Sequence, residues 1–229
     1  MTGSEPDFRG RIGPGDRNEW RVSADIVQLA RQARPSATVV VAAAPRAIAL
    51  DLRRAAVVVV DMQNDFCHPD GWLASIGVDV EPARRPIPVL AAGLPALRRC
   101  GVPIVWLNWG TRADHANLPP NVLHVYDPDG GGVGIGSRRP TGHPVLQAGS
   151  WGAAVVDELT IADADIAVDK HRMSGFWDTG LDSVLRNLDV TTLLFAGVNA
   201  DQCVLATLVD AACIGYDVVM LEDASATTS

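Results

Sequence analysis

Three side chains in this 229-residue chain have the types and placement to do chemistry together: Asp61, Lys170 and Cys203. Each stands at or just beyond the end of an apolar run. The run 55–60 (AAVVVV) leads into Asp61, 165–168 (DIAV) into Asp169-Lys170, and 192–197 (TLLFAG) into Val-Asn-Ala-Asp-Gln-Cys203. A thiol is mostly protonated at neutral pH, and its thiolate is the nucleophile. An ammonium group and a helix start both favour that thiolate, and Lys170 can supply the ammonium. Asp61 can take the thiol proton and later return it to a leaving amine. Backbone N–H groups at the helix start, Cys203's among them, can hold an oxyanion. The chemistry is acyl transfer to water from an amide-like substrate. Each residue also has an ordinary use: an Asp after a strand caps a turn, a Cys near a helix start packs as a small hydrophobe, and a Lys after a strand is solvated.

For those three to meet, strand ends must converge. Continuous rather than alternating apolar runs mark strands buried on both faces of a parallel sheet. Strands are expected at 55–60, 102–107, 165–168, 192–197 and 217–221. Helical patterns fall between several of them: 82–100, ending at Gly101; 181–188, capped by Asp178 or Thr179; and 202–214, ending at Gly215. The alternation predicts an α/β fold, a Rossmann-like doubly wound parallel sheet with helices on both faces. In such sheets ligands bind beyond the carboxyl ends of the strands. The stretch 108–151 is too long for an ordinary connection and reads as a functional cover. Its Gly132-Val-Gly-Ile-Gly136 neither follows a clear strand nor opens a helix, so it is a weak dinucleotide signal. Gln63 and Asn108 can hydrogen-bond a planar urea, and Trp109 and Trp177 can wall a pocket; backbone satisfaction and core packing are the alternatives. Arg138 and Arg139 can meet an anionic substrate or simply be solvated.

Residues 1–53 form an N-terminal extension without assignable chemistry, and 54–229 form the sheet domain. In the extension, Ser23 is expected to cap a helix through Ala33, and 38–42 to form an edge strand. Lys plus Arg number 19 against 27 Asp plus Glu, a net charge of −8. That balance argues against nucleic-acid or anionic-membrane partners. Four cysteines without a CxxC pair argue against a disulfide scaffold or zinc ribbon and fit a reducing cytoplasm. No apolar run is long enough to span a membrane, and the N-terminus lacks the apolar core of a signal peptide.

The motifs 57–66 (VVVVDMQNDF), 168–187 (VDKHRMSGFWDTGLDSVLRN) and 193–227, which contains GVNADQC, together resemble the isochorismatase-like cysteine hydrolase family. The resemblance covers residues 55 to the end. It implies an Asp61–Lys170–Cys203 triad and a cis peptide between Val198 and Asn199 that aims backbone donors, with Gln202 in the same loop, at the oxyanion. Residues 149–159 and 172–187 are similar to ureidoacrylate amidohydrolases, and 112–121 to biuret hydrolases. The implied activity is cleavage of a C–N bond in a small ureido, carbamoyl or amide compound through a thioester. The implied partner is that small molecule, with a dimer or tetramer as the assembly.

Departures from the family pattern sharpen the expectation. Siderophore-pathway isochorismatases lack the nucleophilic cysteine, so Cys203 argues against vinyl-ether hydrolysis. Nicotinamidases carry Asp-x-His after the second strand; here that position reads Asn108-Trp109-Gly110, so no metal and no cofactor are expected. Ala200 stands where the GxxTxxC motif has Thr. Family members continue past the LEDA-type motif with a helix and a strand, whereas this sequence stops at Ser229, so the sheet is expected to lack those last elements. The alternatives are a hydrolase of a non-amide substrate and a non-catalytic binding or assembly relative.

Overall fold

The computed structural model describes residues 7–31, 33, 35–138, 142 and 144–228. The chain opens with two small antiparallel units. In the first, β1 (Gly10–Ile12), β2 (Trp20–Val22) and β3 (Val27–Gln28) form a three-stranded sheet. In the second, β4 (Thr38–Val41) pairs with β5 (Ile48–Asp51). The expected Ser23–Ala33 helix does not form. Ser23 Oγ instead accepts from the amides of Asp25 and Ile26, closing a tight turn that feeds β3. The β-branched residues Val22, Ile26 and Val27 suit that hairpin, and Ile26, Val27 and Leu29 all stay exposed rather than forming a buried helical face. Gln32 lies outside the described residues. The expected edge strand at 38–42 pairs only within its own hairpin and does not join the main sheet.

A central sheet of five parallel strands follows: β6 (Ala55–Val60), β7 (Ile104–Trp109), β8 (Ile166–Lys170), β9 (Thr192–Gly197) and β10 (Asp217–Ser225), in the order β10-β9-β6-β7-β8. All six residues of β6 are fully buried, as a continuous apolar run at the centre of a sheet must be. The chain runs outward from β6 through β7 to β8, then returns to the other side of β6 as β9. The point where the order reverses therefore lies between β6 and β9, and crevices for ligands form at such points. At that junction β6 and β9 are unusually close: a Cβ on Gly197, whose φ is +108°, would sit 2.0 Å from Val60 O.

Between the strands lie α1 (Asn64–Cys67), α2 (Trp72–Ser75), α3 (Glu81–Arg84), α4 (Pro86–Arg99), α5 (Pro120–Tyr126), α6 (Leu181–Asn187) and α7 (Leu205–Cys213). Right-handed crossovers place the β6–β7 and β9–β10 helices on opposite faces, because the two connections step in opposite directions. The single helix expected over 82–100 is two. Pro86 offers no N–H, so α3 ends at Arg84 and a new helix begins at Pro86. The helix expected over 202–214 begins instead as a wide π turn, Ala200–Val204, before α7. β10 runs longer than expected, with its register shifting between Met220 and Ser225, and forms one sheet edge.

The extension docks at the end of the sheet where the strands begin. Arg17 donates to Arg53 O and, at 2.7 Å, to Gly101 O, just ahead of β6 and β7. Asn18 donates to Asn187 O at 2.8 Å, ahead of β9. Described stretches of the long connection between β7 and β8 cover the opposite end, and polar residues of the first motif fasten them there. Gln63 donates to Ala153 O at 2.6 Å, Asn64 to Trp151 O at 2.9 Å, and Asp65 accepts from Leu146 N at 2.8 Å and Trp72 N at 3.0 Å.

Asp165 ties β8 to α4 and β7. It accepts from Arg98 Nε at 2.9 Å, Trp106 Nε1 at 2.8 Å and Ala162 N at 3.0 Å. Burial pushes its carboxyl up, but these donors outweigh burial and hold it below the usual range. Asp165→Ala is expected to cost about 2–3 kcal/mol in urea denaturation at pH 7, because it strands the Trp106 indole N–H and the Arg98 charge. The difference from wild type should persist above the ordinary carboxylate range and shrink as pH falls through the lowered value, since a protonated Asp165 loses the same bonds.

Candidate active site

Asp61 ends β6 with a left-handed backbone, φ +52°. That conformation is uncommon outside glycine, though Asp adopts it more readily than most, and it is held here from several sides. Asp61 N donates to Leu107 O at 3.0 Å, and Asp61 Oδ1 accepts from Trp109 N at 3.2 Å. The turn thrusts the carboxylate back over the end of the sheet. Lys170, the last residue of β8, reaches it across β7: Nζ lies 2.9 Å from Asp61 Oδ2. The same Nζ donates to Cys203 Sγ at 3.3 Å and to Arg172 O at 3.4 Å. Cys203 sits in the π turn after β9, pinned where Thr207 Oγ1 donates to its carbonyl at 2.7 Å and itself accepts from Gly175 N at 3.1 Å. Asp61, Lys170 and Cys203 are all buried. One ammonium thus bridges a carboxylate and a thiol at the reversal point of the sheet.

Burial dominates the electrostatics. It pushes the Cys203 thiol up to about 12; Lys170 opposes this, and the Asp61 charge adds to it. Lys170 favours the thiolate, as expected, but burial outweighs it and leaves the thiol raised. Burial also raises the Asp61 carboxyl, against the pull of Lys170 and of its hydrogen bonds. A carboxylate whose pKa is raised is a better proton acceptor than an ordinary Asp.

Other expected site residues divide. Trp109 is buried beneath Lys170, with Nζ 4.2 Å from its ring centroid, a cation–π contact that holds the ammonium in place. Its indole N–H has no hydrogen-bond partner among the described residues but lies near enough to lower the Cys203 thiol slightly. Gln63 does not present its amide to a ligand. Both Nε2 hydrogens go to Trp109 O and Ala153 O, and Oε1 accepts from Trp109 N at 2.8 Å. Asn108 Oδ1 is buried without a hydrogen-bond partner among the described residues. Trp177 is 62% exposed, and its indole donates to Asp210 Oδ2 at 2.7 Å. The Val198–Asn199 peptide is cis. Asn199 Oδ1 accepts from Thr228 N at 3.2 Å, and Gln202 Oε1 accepts from Tyr126 Oη at 2.7 Å.

Arg138 is exposed; Arg139 and His143 lie outside the described residues. Among the described residues no three His, Cys, Asp or Glu side chains form a cluster able to hold a metal, and no helix is long and apolar enough to cross a membrane. Cys67 is buried, whereas Cys100 and Cys213 are exposed.

Sequence reasoning missed Tyr126 and Met173. Met173 Sδ lies 3.8 Å from Cys203 Sγ, and Tyr126 Oη lies 3.9 Å from Met173 Sδ. Met173 stands three residues beyond Lys170, a position with a signal. Tyr126 comes from the covering segment, where only the fold reveals what it faces.

Comparison with known proteins bears on the same residues. Residues 55–229 match the family model described as Isochorismatase domain. The chain is 38% identical over 192 residues to ureidoacrylate amidohydrolase RutB of Methylobacterium radiotolerans, covering 82% of this chain and 72% of that one. An isochorismatase family protein from Desulfovibrio vulgaris superposes with a TM-score of 0.63 at 31% identity, over 77% of this chain and 84% of the other. N-carbamoylsarcosine amidase from Thermoplasma acidophilum gives a TM-score of 0.57 at 28% identity, over 76% and 84%.

Lys170→Met leaves Asp61 buried without its counter-charge and is expected to cost about 3–5 kcal/mol by chemical denaturation. With Lys170 gone, burial raises Asp61 unopposed. The variant should then lose stability as pH rises, because the folded state binds a proton that the unfolded state has released. Adding Asp61→Asn should restore part of the loss and flatten that pH dependence.

Proposed function

The chain belongs to the isochorismatase domain family of hydrolases, and from that premise we propose that it is a cysteine-dependent amidohydrolase acting on a small ureido, carbamoyl or amide compound. The observation that carries the reading is the shared ammonium: Lys170 Nζ stands 2.9 Å from Asp61 Oδ2 and 3.3 Å from Cys203 Sγ in one buried crevice. A structural ion pair has no need of a third, nucleophilic partner. The names of the Methylobacterium radiotolerans and Thermoplasma acidophilum relatives, a ureidoacrylate amidohydrolase and an N-carbamoylsarcosine amidase, support a carbamoyl-bearing substrate.

In this mechanism the substrate carbonyl enters beside Cys203. As Sγ attacks, the thiol proton passes to Asp61, and the new C–S bond leaves a tetrahedral oxyanion facing the backbone amides of the 198–203 turn. The oxyanion collapses, the C–N bond breaks, and Asp61 returns the proton to the departing ammonia or amine. Water then attacks the thioester and gives its proton to Asp61. Collapse of the second intermediate breaks the C–S bond, and the sulfur recovers the proton from Asp61. Lys170 keeps one positive charge beside whichever of the two groups is anionic, so no step leaves an uncompensated charge in the crevice. A resting thiol suits this scheme: the nucleophile is made only when a carbonyl is present to receive it.

An ammonia-release screen over ureidoacrylate, biuret, N-carbamoyl amino acids and nicotinamide should show turnover of at least one carbamoyl compound. Cys203→Ala should lower that turnover by at least ~10³-fold while calorimetry still registers binding of the same compound. Undiminished turnover in Cys203→Ala would contradict the mechanism.

A further inference from the structure

Trp109 bears on all three members of the buried trio, and the acyl-transfer steps leave one of its groups without a task. It ends β7 directly beside Lys170 in the sheet register. Its main-chain N–H points to Asp61 Oδ1 at 3.2 Å and Gln63 Oε1 at 2.8 Å. Its ring lies against Lys170, with Nζ 4.2 Å from the centroid. Its indole N–H is buried and makes no hydrogen bond of ordinary geometry among the described residues. An unpaired buried donor is costly, and a fold that keeps one beside reactive groups has a use for it there.

The acceptor within its reach is Cys203 Sγ. The Trp109 side chain acts on the thiol as a donor and draws it down against burial, whereas Asp61 receives the main-chain N–H of Trp109 instead. Lys170 and Met173 also touch the sulfur. Lys170 divides its ammonium hydrogens among Asp61 Oδ2, Cys203 Sγ and Arg172 O. Met173 Sδ, 3.8 Å from Sγ, is a thioether and donates nothing. A neutral thiol is a weak acceptor, and a hydrogen bond to an ionised acceptor is roughly twice as strong as one between neutral groups. The indole therefore gains its bond as the sulfur becomes anionic. An interaction that strengthens as charge develops speeds a reaction, and one that is constant does not.

We propose that Trp109 is a catalytic residue whose indole N–H hydrogen-bonds Cys203 Sγ whenever the sulfur carries negative charge: as the thiol proton leaves for Asp61, and again as the thioester C–S bond breaks. The N–H keeps its proton throughout, so no atom of Trp109 is transferred. The inference rests on the amidohydrolase reading for the steps at which charge appears. The donor itself acts on the thiol of the free protein and is measurable without substrate.

The test places benzothienylalanine at position 109 of the full-length chain by site-specific incorporation. This residue keeps the ring shape and the face against Lys170 but has sulfur where the N–H was. Iodoacetamide alkylation of Cys203, followed by mass spectrometry, should slow several-fold and by the same factor at each pH below the thiol's titration. The thiolate fraction falls, and the gain in intrinsic nucleophilicity offsets only part of that loss. With a carbamoyl substrate, kcat should fall several-fold with KM unchanged. Trp109→Phe, which also keeps a ring and lacks the N–H, should move both readouts in the same direction. If Trp109 supplies only a ring face to Lys170, the benzothienylalanine protein matches wild type in alkylation and turnover. That result, or a change confined to KM, overturns the inference and leaves the amidohydrolase reading standing. Slowed alkylation in a chain that hydrolyses no carbamoyl compound overturns that reading and leaves the indole as the donor to the Cys203 sulfur.

Discussion

A lysine ammonium buried at the end of a parallel sheet is the constraint to which the rest of the structure answers. An isolated charge in that position would cost several kcal/mol, so Lys170 must be met by an opposite charge and by donors and acceptors of fixed geometry. Asp61 supplies the charge, Trp109 the ring face and Arg172 a carbonyl. Meeting those demands requires three strand ends to stop at the same height, and the register of β6, β7 and β8 does that: Val60 pairs with Leu107, and Trp109 with Lys170. The left-handed turn at Asp61 is a local cost of order 1–3 kcal/mol that this arrangement absorbs.

Cys203 profits from an environment built for the ion pair. The same burial that makes Lys170 and Asp61 need each other also pushes the Cys203 thiol up. The covering segment completes the enclosure. It is fastened by Gln63, Asn64 and Asp65, so the residues directly following the carboxylate hold the roof over it. Gly152 shows how tight that joint is: a Cβ there would lie 2.1 Å from Asp65 Oδ2. The extension binds the far end of the sheet, which leaves the crevice to the covering segment and α7.

The sheet and its three candidate strand ends are legible because buried parallel strands write themselves as unbroken β-branched runs, and the residue that ends each run is easy to find. The meeting of Asp61, Lys170 and Cys203 followed from that placement. What the sequence could not convey was competition for hydrogen bonds. Gln63 looks equally fit to bind a urea or a backbone, and only the fold reveals that β7 and the covering segment claim its whole amide. Tyr126 lies in a segment of prolines and glycines whose path no periodicity encodes. The helix at Ser23 misled because Ser caps turns and helices alike, and the β-branched residues after it decided for a hairpin. The thiol state of Cys203 depends on burial, which a strand-end position does not report.

The central claim is that Cys203 forms a covalent acyl intermediate beside the Asp61–Lys170 pair. Rapid acid quench of the wild-type chain during turnover of a carbamoyl substrate, followed by intact-mass and peptide mass spectrometry, tests it directly. The account predicts a transient mass increase equal to the acyl fragment, confined to the peptide bearing Cys203 and released by hydroxylamine as a thioester is. Sustained turnover with no adduct on Cys203 at any quench time would contradict it.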